Sequence, residues 1–283
     1  NKTYVTSNYS NYLQLNSSVV DYANNLNDLR FLEGTCQIPT GGELGNYVEV
    51  LNTGGKSYVW VRSLTNGSTS LAMYYGNAVA TTTSDVNKSF IFYDGFDGNA
   101  LEATKWIDSG GNSVSGGYFT FAESGLRYIY TKMNFSNMYN ISMDWQQKND
   151  RVANANNFGL THYESNSGVP FPDATEMGIQ CWGPSHTGIR CTLADYPTPI
   201  SIDDYYNNGA LLNVTIKTVS PTAFNIYHGG ILNGTSPAFS NYIGRAAFLV
   251  SSAGVPVNLD FVRVRNYVYP EPTYTFGAEE NNI

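Results

Sequence analysis

The sequence predicts an all-β protein of two consecutive antiparallel β-sandwiches, the second of jelly-roll type. Short stretches of alternating apolar and polar residues recur along the whole chain, as strands with one buried face require. Charged residues make up only 13% of the chain and 22 residues are tyrosine, so sheet formers replace the Glu, Lys and Leu runs that favour helices. Strands do not alternate with helical segments, and a parallel sheet is therefore not expected.

The chain length of 283 residues is sufficient for two domains that each bury a core. We expect a small sandwich over residues 1–89, a larger sandwich over residues 90–268, and a polar, proline-punctuated tail or linker over residues 269–283. In the small sandwich, the segments 47–51 and 58–62 predict a hairpin, because Gly54 and Gly55 supply the positive φ that a tight turn needs.

The larger region contains about eleven short candidate strands, which favours a large antiparallel sandwich. The alternation is clearest in the closing segment 257–265, where one face is apolar and the other polar.

Charge and hydropathy exclude two classes of partner. The net charge is −8, and Lys and Arg do not cluster, which argues against nucleic acid. The sequence contains no apolar run of about 18 residues, so no membrane span is expected. The start at Asn1 lacks a signal-peptide pattern, and we expect the mature form of a secreted precursor.

Sequons for N-glycosylation support an extracellular, cell-surface location. Nine Asn-X-Ser/Thr motifs occur, whereas chance in this composition gives about five or six. We predict a glycoprotein modified at several of these sites: Asn1, Asn8, Asn16, Asn66, Asn87, Asn134, Asn140, Asn213 and Asn233.

The three cysteines allow one disulfide. Cys181 and Cys191 lie symmetrically about the turn 183–188, which predicts a cross-strand bridge. The alternative is two buried thiols. Cys36 is left over and is interpreted as a small buried hydrophobe.

Several fragments resemble a known module in their order and spacing. They are D-L-R-F at 28–31, Y-V-W-V-R at 58–62, M-Y-Y-G-N at 73–77 and F-Y-D-G-F at 92–96, followed by the phrase D-G-F-D-G-N-A-L-E-A-T-K-W at 94–106. The first part resembles the domain of unknown function number 2341 of archaeal and bacterial surface proteins. The phrase that follows is similar to the opening of concanavalin A-like lectin and glucanase sandwiches.

The resemblance implies a location and a fold and no activity. It covers residues from about 20 to 107 and the closing strand 257–272. The Trp-Tyr-Arg/Lys opening strand that is usual in the family is missing before Thr3.

Catalytic motifs are absent, and we predict that the protein is not an enzyme. Retaining glucanases of this fold carry a Glu-x-Asp-x-x-Glu strand, and no such spacing occurs here. The acidic segment 173–176 is typical of a loop. His162, His186 and His228 are interpreted as loop residues, not as catalytic bases.

A calcium site is the cofactor hypothesis. Asp94, Asp97 and Asn99 offer oxygen ligands in a glycine-rich loop, and Asp260 on the closing strand is expected to lie nearby. The alternative is a set of turns stabilised by side-chain to backbone hydrogen bonds without a metal.

A sugar site would need an aromatic platform and neighbouring amides. The alternative is that these aromatic side chains fill the core. The candidates are Trp145, Gln146, Asn157, Tyr163 and Trp182.

The preferred interpretation is a structural or assembly protein of the cell surface: a filament, sheath or surface-layer subunit that self-associates. Strand donation from residues 1–20 is the proposed link between subunits. The alternative is a carbohydrate-binding adhesin that uses the second sandwich. A glycoside hydrolase is the third hypothesis.

Overall fold

A computed structural model describes most of the chain. The described residues are 2–7, 11–15, 17, 20, 22, 24–36, 38–62, 69–122, 125–135, 140–149, 155–161, 179–182, 190–193, 200–201, 212–220, 223–235, 244–251, 257–267 and 274–277.

These ranges contain strands and one short helix. In chain order the elements are β1 (Lys2–Ser7), β2 (Asn11–Leu15), β3 (Arg30–Gly34), β4 (Pro39–Glu43), β5 (Asn46–Val50), β6 (Ser57–Val61), β7 (Thr69–Tyr74), α1 (Val86–Ser89), β8 (Phe92–Asp94), β9 (Trp106–Asp108), β10 (Ser113–Ser115), β11 (Tyr118–Phe121), β12 (Leu126–Thr131), β13 (Ile141–Asn149), β14 (Ala155–Thr161), β15 (Ile179–Trp182), β16 (Arg190–Leu193), β17 (Ile200–Ser201), β18 (Leu212–Ser220), β19 (Ala223–His228), β20 (Ile231–Thr235), β21 (Arg245–Ser251), β22 (Val257–Asn266) and β23 (Thr275–Phe276).

The chain forms two compact units, each built of antiparallel sheets, which confirms the predicted fold class. The first unit comprises Asn1–Tyr93 and Arg265–Ile283, and the second comprises Asp94–Val264. The second unit is therefore inserted into the first along the sequence, and the two chain ends belong to the same unit.

The first unit is a sandwich of a five-stranded and a three-stranded sheet. The strand orders are β23-β1-β7-β3-β4 and β2-β6-β5. The predicted hairpin is present: β5 and β6 pair with Tyr47 opposite Trp60 and Val48 opposite Val59. The expected reason for its turn is wrong, because neither Gly54 nor Gly55 has a positive φ. Asn52 closes the turn instead, since its Oδ1 accepts the Gly54 backbone N–H and its carbonyl accepts the Gly55 backbone N–H. The fully buried core side chains of this unit include Leu13, Leu15, Phe31, Val59, Leu71 and Met73.

The C-terminal segment differs from the expected tail or linker. Its strand β23 pairs with β1, with Phe276 opposite Val5. Tyr274 and Phe276 pack against the core of the first unit, and the Tyr274 hydroxyl accepts a hydrogen bond from the Gln14 backbone N–H at 2.9 Å. The packing of these two aromatic side chains against the core holds this short segment in place. Its prolines and acidic residues are nevertheless typical of a linker.

The second unit contains two larger sheets. The strand order β10-β11-β22-β13-β18-β19-β20 defines the eight-stranded sheet, to which β8 adds off the main path, and β17-β16-β15-β14-β21-β12-β9 defines the seven-stranded sheet. Trp145 on β13 and Phe248 on β21 meet between the sheets, with ring centroids 5.8 Å apart. The inward faces of these two strands therefore form the interior of this unit.

Trp145 is a core residue, which corrects its assignment to a sugar platform. Its side chain is 1% exposed, and its indole Nε1 donates a hydrogen bond to Gln147 Oε1 at 2.9 Å. A ring this deeply buried presents no face to a sugar. Large aromatic side chains are favoured in cores for the same reason that they are favoured in sugar sites, their large apolar area.

Within the described residues, no helix has the length and apolar character needed to cross a membrane.

Replacing Trp145 by Ala tests the position of the interior. We expect Trp145→Ala to lower the free energy of unfolding by about 3–5 kcal/mol, because it leaves a large cavity. Ile231, which is 72% exposed on β20, is the control, and Ile231→Ala should change the free energy of unfolding by no more than about 0.5 kcal/mol. Urea denaturation followed by fluorescence gives both values, and equal effects of the two substitutions would contradict this position of the core.

Candidate functional site

The outer face of the seven-stranded sheet carries the first candidate site. Because Phe248 points into the core, its strand neighbours Ala247 and Leu249 lie on the opposite face. The register places Tyr128 opposite Leu249 and Tyr130 opposite Ala247. We call these four residues, with Ile107 opposite Tyr130, the tyrosine face.

The tyrosine face is apolar with a cationic border. The rings of Tyr128 and Tyr130 stack with centroids 6.1 Å apart and an interplanar angle of 25°. The Arg245 guanidinium lies 5.8 Å from the Tyr130 ring centroid, and its Nη1 donates hydrogen bonds to the carbonyls of Thr131 and Lys132. Tyr130, Ala247 and Leu249 are buried, with exposures of 7%, 0% and 5%, whereas Tyr128 and Ile107 are partly exposed.

Two of the predicted sugar residues lie on strands of the same sheet. The backbone register puts Asn157 of β14 opposite Leu249, and Gln180 of β15 opposite Asn157. Trp182 follows two positions along β15, opposite Arg190. Tyr163 lies outside the described residues. Cross-strand rows thus connect the tyrosine face to the positions of Asn157 and Trp182.

Gln146 does not join this group. It lies on β13 of the eight-stranded sheet, and its Nε2 donates a hydrogen bond to Asn213 Oδ1 at 2.9 Å. The predicted set of five sugar residues is therefore divided between two sheets.

Tyr128 and Tyr130 were missed by the sequence analysis. Their spacing in the segment 126–130 gives the strand alternation, but alternation cannot tell which face of a strand turns outward. With 22 tyrosines in the chain, the residue type carries no signal by itself.

The outer face of the eight-stranded sheet is polar, and its buried acidic side chain is paired with a basic side chain of the same face. Asp144 and Arg263 form an ion pair with Oδ2 and Nε 3.1 Å apart, and their side chains are 8% and 11% exposed. Asp144 Oδ1 also accepts hydrogen bonds from the hydroxyls of Thr215 and Ser142. The Asp144 charge is therefore compensated within the sheet, and removing Arg263 would leave it buried and unpaired.

The fold brings together some of the four residues that the sequence predicts as calcium ligands. Both carboxylate oxygens of Asp94 are engaged by the protein: Oδ1 accepts the Phe96 backbone N–H at 2.8 Å, and Oδ2 accepts the Trp106 indole N–H at 2.6 Å. These hydrogen bonds explain the spacing between the Asp and the Trp of the opening phrase. Asp97 and Asn99 are exposed.

Asp97 and Asp260 lie close enough to interact electrostatically. Burial raises the pKa of the Asp260 carboxyl above its usual range, and the neighbouring Asp97 carboxylate raises this pKa further. Among the described residues, three or more His, Cys, Asp or Glu side chains do not come together as a metal-binding group. A calcium ion held by Asp97, Asn99 and Asp260 stays a prediction.

The sequons are distributed over both units. Four of the asparagines are exposed, namely Asn87, Asn134, Asn140 and Asn213. Asn233 lies on β20, where only its backbone is described. Asn1, Asn8, Asn16 and Asn66 lie outside the described residues.

The cysteines of the predicted disulfide are opposite each other in the sheet. Strands β15 and β16 pair with Cys181 directly across from Cys191. This register brings the two backbones to a separation that a disulfide can bridge. Cys36 is buried, as expected.

Comparison with known proteins finds a family match within the first part of the chain. Residues 25–109 match a family described as Domain of unknown function (DUF2341). This confirms the resemblance noted in the sequence. The matched range runs from the loop before β3 through the end of β9.

Solved structures are similar to this chain over somewhat less than two thirds of its length. One, from a study of endo-acting O-glycanases that members of the human gut microbiota express to initiate mucin breakdown, is 11% identical with a TM-score of 0.50, over 63% of this chain and 100% of its own. It shows the expected concanavalin-like sandwich.

Two further structures have lower TM-scores. The endo-β-1,3-glucanase from Pyrococcus furiosus is 12% identical with a TM-score of 0.48, over 64% of this chain and 95% of its own. The carbohydrate recognition domain of Emp47p is 11% identical with a TM-score of 0.47, over 62% and 94%. No curated protein sequence matches the chain significantly.

The raised pKa of Asp260 predicts a pH-dependent stability. The folded state holds this proton more tightly than the unfolded state, so its stabilising effect is complete below the ordinary pKa of 3.8 and is lost as the pH rises through the raised value. In metal-free buffer, Asp260→Asn should therefore raise the melting temperature near neutral pH and leave it unchanged below pH 3.8. Calorimetry over a pH series measures this, and an equal shift at every pH would contradict it.

Calcium provides the matched comparison. If Asp97, Asn99 and Asp260 hold the ion, calcium raises the melting temperature of the unsubstituted protein relative to chelator, and Asp260→Asn removes that increase. Identical melting temperatures in calcium and chelator would rule out the site.

The cysteine register predicts a single disulfide. After unfolding without reductant, alkylation should label Cys36 alone, and peptide mapping should recover Cys181 linked to Cys191. Reduction should lower the melting temperature, because the bridge restrains the unfolded chain. Labelling of all three cysteines without reductant would contradict the bridge.

Proposed function

We propose that the protein is an extracellular cell-surface glycoprotein whose larger unit binds carbohydrate on the tyrosine face. The observation that carries the proposal is the stacked pair of Tyr128 and Tyr130 on the outer face of a sheet. An aromatic surface that meets the apolar face of a sugar ring, bordered by hydrogen-bonding groups, is the usual chemistry of saccharide recognition.

Three features support this assignment. Tyr128 keeps solvent contact, while the nearly buried Tyr130 holds it in place from one side. The Arg245 guanidinium fixes the Tyr130 ring and adds a polar border. The positions of Asn157 and Trp182 on neighbouring strands would extend the surface across the sheet. A structure from a study of endo-acting O-glycanases shares the concanavalin-like fold, and this likeness supports the proposal.

Assembly into a filament, sheath or surface layer is the second candidate function. The N-terminal strand that was expected to be donated has a place in its own chain. Strand β1 pairs with β7 along six residues and with β23 on its other side. A sheet completed by its own β1 needs no strand from a neighbour, so glycan binding is the better supported of the two functions.

Hydrolysis is the third candidate. Asp97 and Asp260 are neighbouring carboxylates, and the raised pKa of Asp260 is a property that glycosidase acids share. Asp260 lies on β22 of the eight-stranded sheet, whereas the tyrosine face belongs to the seven-stranded sheet, so this pair of carboxylates and the proposed sugar surface are on different sheets.

Replacing Tyr128 tests the glycan site. After a glycan array identifies a bound saccharide, we expect Tyr128→Ala to weaken its binding at least about ten-fold, a loss of about 1.4 kcal/mol. Tyr227 is the matched control, since it is also a half-buried tyrosine on an outer face, in the other sheet, with Lys217 Nζ 4.5 Å from its ring centroid. Tyr227→Ala should leave the affinity unchanged, as measured by isothermal titration.

Three results would count against the proposal. Absence of binding to every arrayed glycan would exclude it, and equal losses in the two tyrosine variants would exclude the tyrosine face. New reducing ends released from a polysaccharide, and lost in Asp260→Asn, would instead establish the hydrolase.

A further inference from the structure

A pocket in the first unit lies where two family fragments meet. Asp28 precedes β3, and Gly76 and Asn77 follow β7, the strand that pairs with β3. The pocket measures about 320 Å³, near the lower end of the range of about 300 to 1,000 Å³ typical of small-molecule sites. We call it the Asp28 pocket, and it is lined by Asp28, Arg30, Tyr74, Tyr75, Gly76, Asn77 and Ala80.

Asp28 has one satisfied and one unsatisfied carboxylate oxygen. Its side chain is 3% exposed, and its Oδ2 accepts hydrogen bonds from the backbone N–H groups of Gly76 and Asn77, the latter at 2.7 Å. Its Oδ1 is buried and has no hydrogen-bond partner among the described residues. A buried acceptor without a donor costs about 1–3 kcal/mol, and more when it is charged. Asp28 Oδ1 therefore lacks a hydrogen-bond donor.

Arg30 does not supply that donor. Its guanidinium is used elsewhere: Nη1 donates to the carbonyls of Asn27 and Leu29, and Nη2 donates to the carbonyl of Thr81. Its Nε lies 3.5 Å from Glu43 Oε1. The charge of Arg30 nevertheless stays at the pocket wall.

The charges at the wall limit the ligand class. Arg30 is itself paired with Glu43, so the wall places a guanidinium beside an unpaired carboxylate oxygen. The carbonyls of Asn27, Leu29 and Thr81 accept hydrogen bonds from three of the five Arg30 N–H groups, so the wall combines donors with the free acceptor Asp28 Oδ1. A hydroxyl group both donates and accepts, so a neutral polyhydroxylated molecule matches this pair, and the rings of Tyr74 and Tyr75 offer its carbon skeleton an apolar wall.

We propose that the Asp28 pocket binds one neutral saccharide unit, a hydroxyl of which donates its hydrogen bond to Asp28 Oδ1. This oxygen is shielded from solvent in the present conformation. Binding therefore requires a local movement that uncovers Oδ1, and we place it in the exposed residues 78 and 79, which follow the two residues whose backbone N–H groups Asp28 holds. The site is independent of the tyrosine face, which belongs to the other unit.

The test uses the full chain and saturation-transfer NMR with methyl glycosides of mannose, galactose and N-acetylglucosamine. Ethylammonium and acetate serve as cationic and anionic probes of similar reach. The informative variant is Asp28→Asn, because the amide oxygen still accepts from Gly76 and Asn77 while an N–H₂ group replaces the free acceptor. We expect this exchange to weaken binding of the preferred glycoside at least about ten-fold.

Two further variants keep the result interpretable. Ala80→Leu fills the pocket without altering Asp28 and should also abolish binding. Val79→Ala changes an 89% exposed side chain in the same segment and should leave binding unchanged. Melting curves of all three variants confirm that each is folded.

Each other outcome overturns the proposal. If none of the methyl glycosides gives a saturation-transfer signal, the pocket does not bind a saccharide. If ethylammonium alone gives a signal, the pocket binds cations. Glycoside binding that survives Asp28→Asn and Ala80→Leu but is lost in Tyr128→Ala places the sugar in the larger unit only. In that case the function proposed above stands and the Asp28 pocket does not.

Discussion

Strand alternation is the constraint on which the larger unit depends. In an antiparallel sheet, a residue that enters the core obliges its two neighbours to face the other way. The contact between Trp145 and Phe248 fixes this parity for two strands at once. Asp144 is thereby turned to the outer face of one sheet, and Ala247 and Leu249 to the outer face of the other. One buried aromatic contact thus decides which residues are available for binding.

The smaller unit depends on a single carboxylate in a comparable way. Asp28 holds the end of β7 through two backbone N–H groups, and this anchors the turn after Tyr75. The D-L-R-F and Y-Y-G-N fragments are far apart in the sequence and adjacent in the sheet, since Arg30 pairs with Tyr74. Both fragments therefore contribute residues to the same pocket, which forms only because the two segments pair in the sheet.

Because only 13% of the residues in this chain are charged, the surroundings of each buried ionisable side chain help to distinguish a structural role from a functional one. Asp144 is neutralised by Arg263 and two hydroxyls, and this completeness indicates a structural role. Asp28 is satisfied on one side only, and Asp260 lies beside another carboxylate. The unpaired Oδ1 distinguishes Asp28 from Asp144, because a fold under selection for stability alone gains nothing from an unpaired buried acceptor.

The sequence by itself determined the class of fold, the pairing of β5 with β6, and the resemblance of residues 25–109 to a known family, because alternation and local fragments are short-range signals. The turn between β5 and β6 does not use the positive φ expected of Gly54 and Gly55. Only the tertiary structure decided which face of each strand is buried. It moved Trp145 from a sugar platform to the core, attached the segment around Tyr274 to the first unit, and brought Asp28 to Gly76. These outcomes depend on contacts between residues distant in the chain, and alternation leaves the choice between two faces open until a partner sheet is in place.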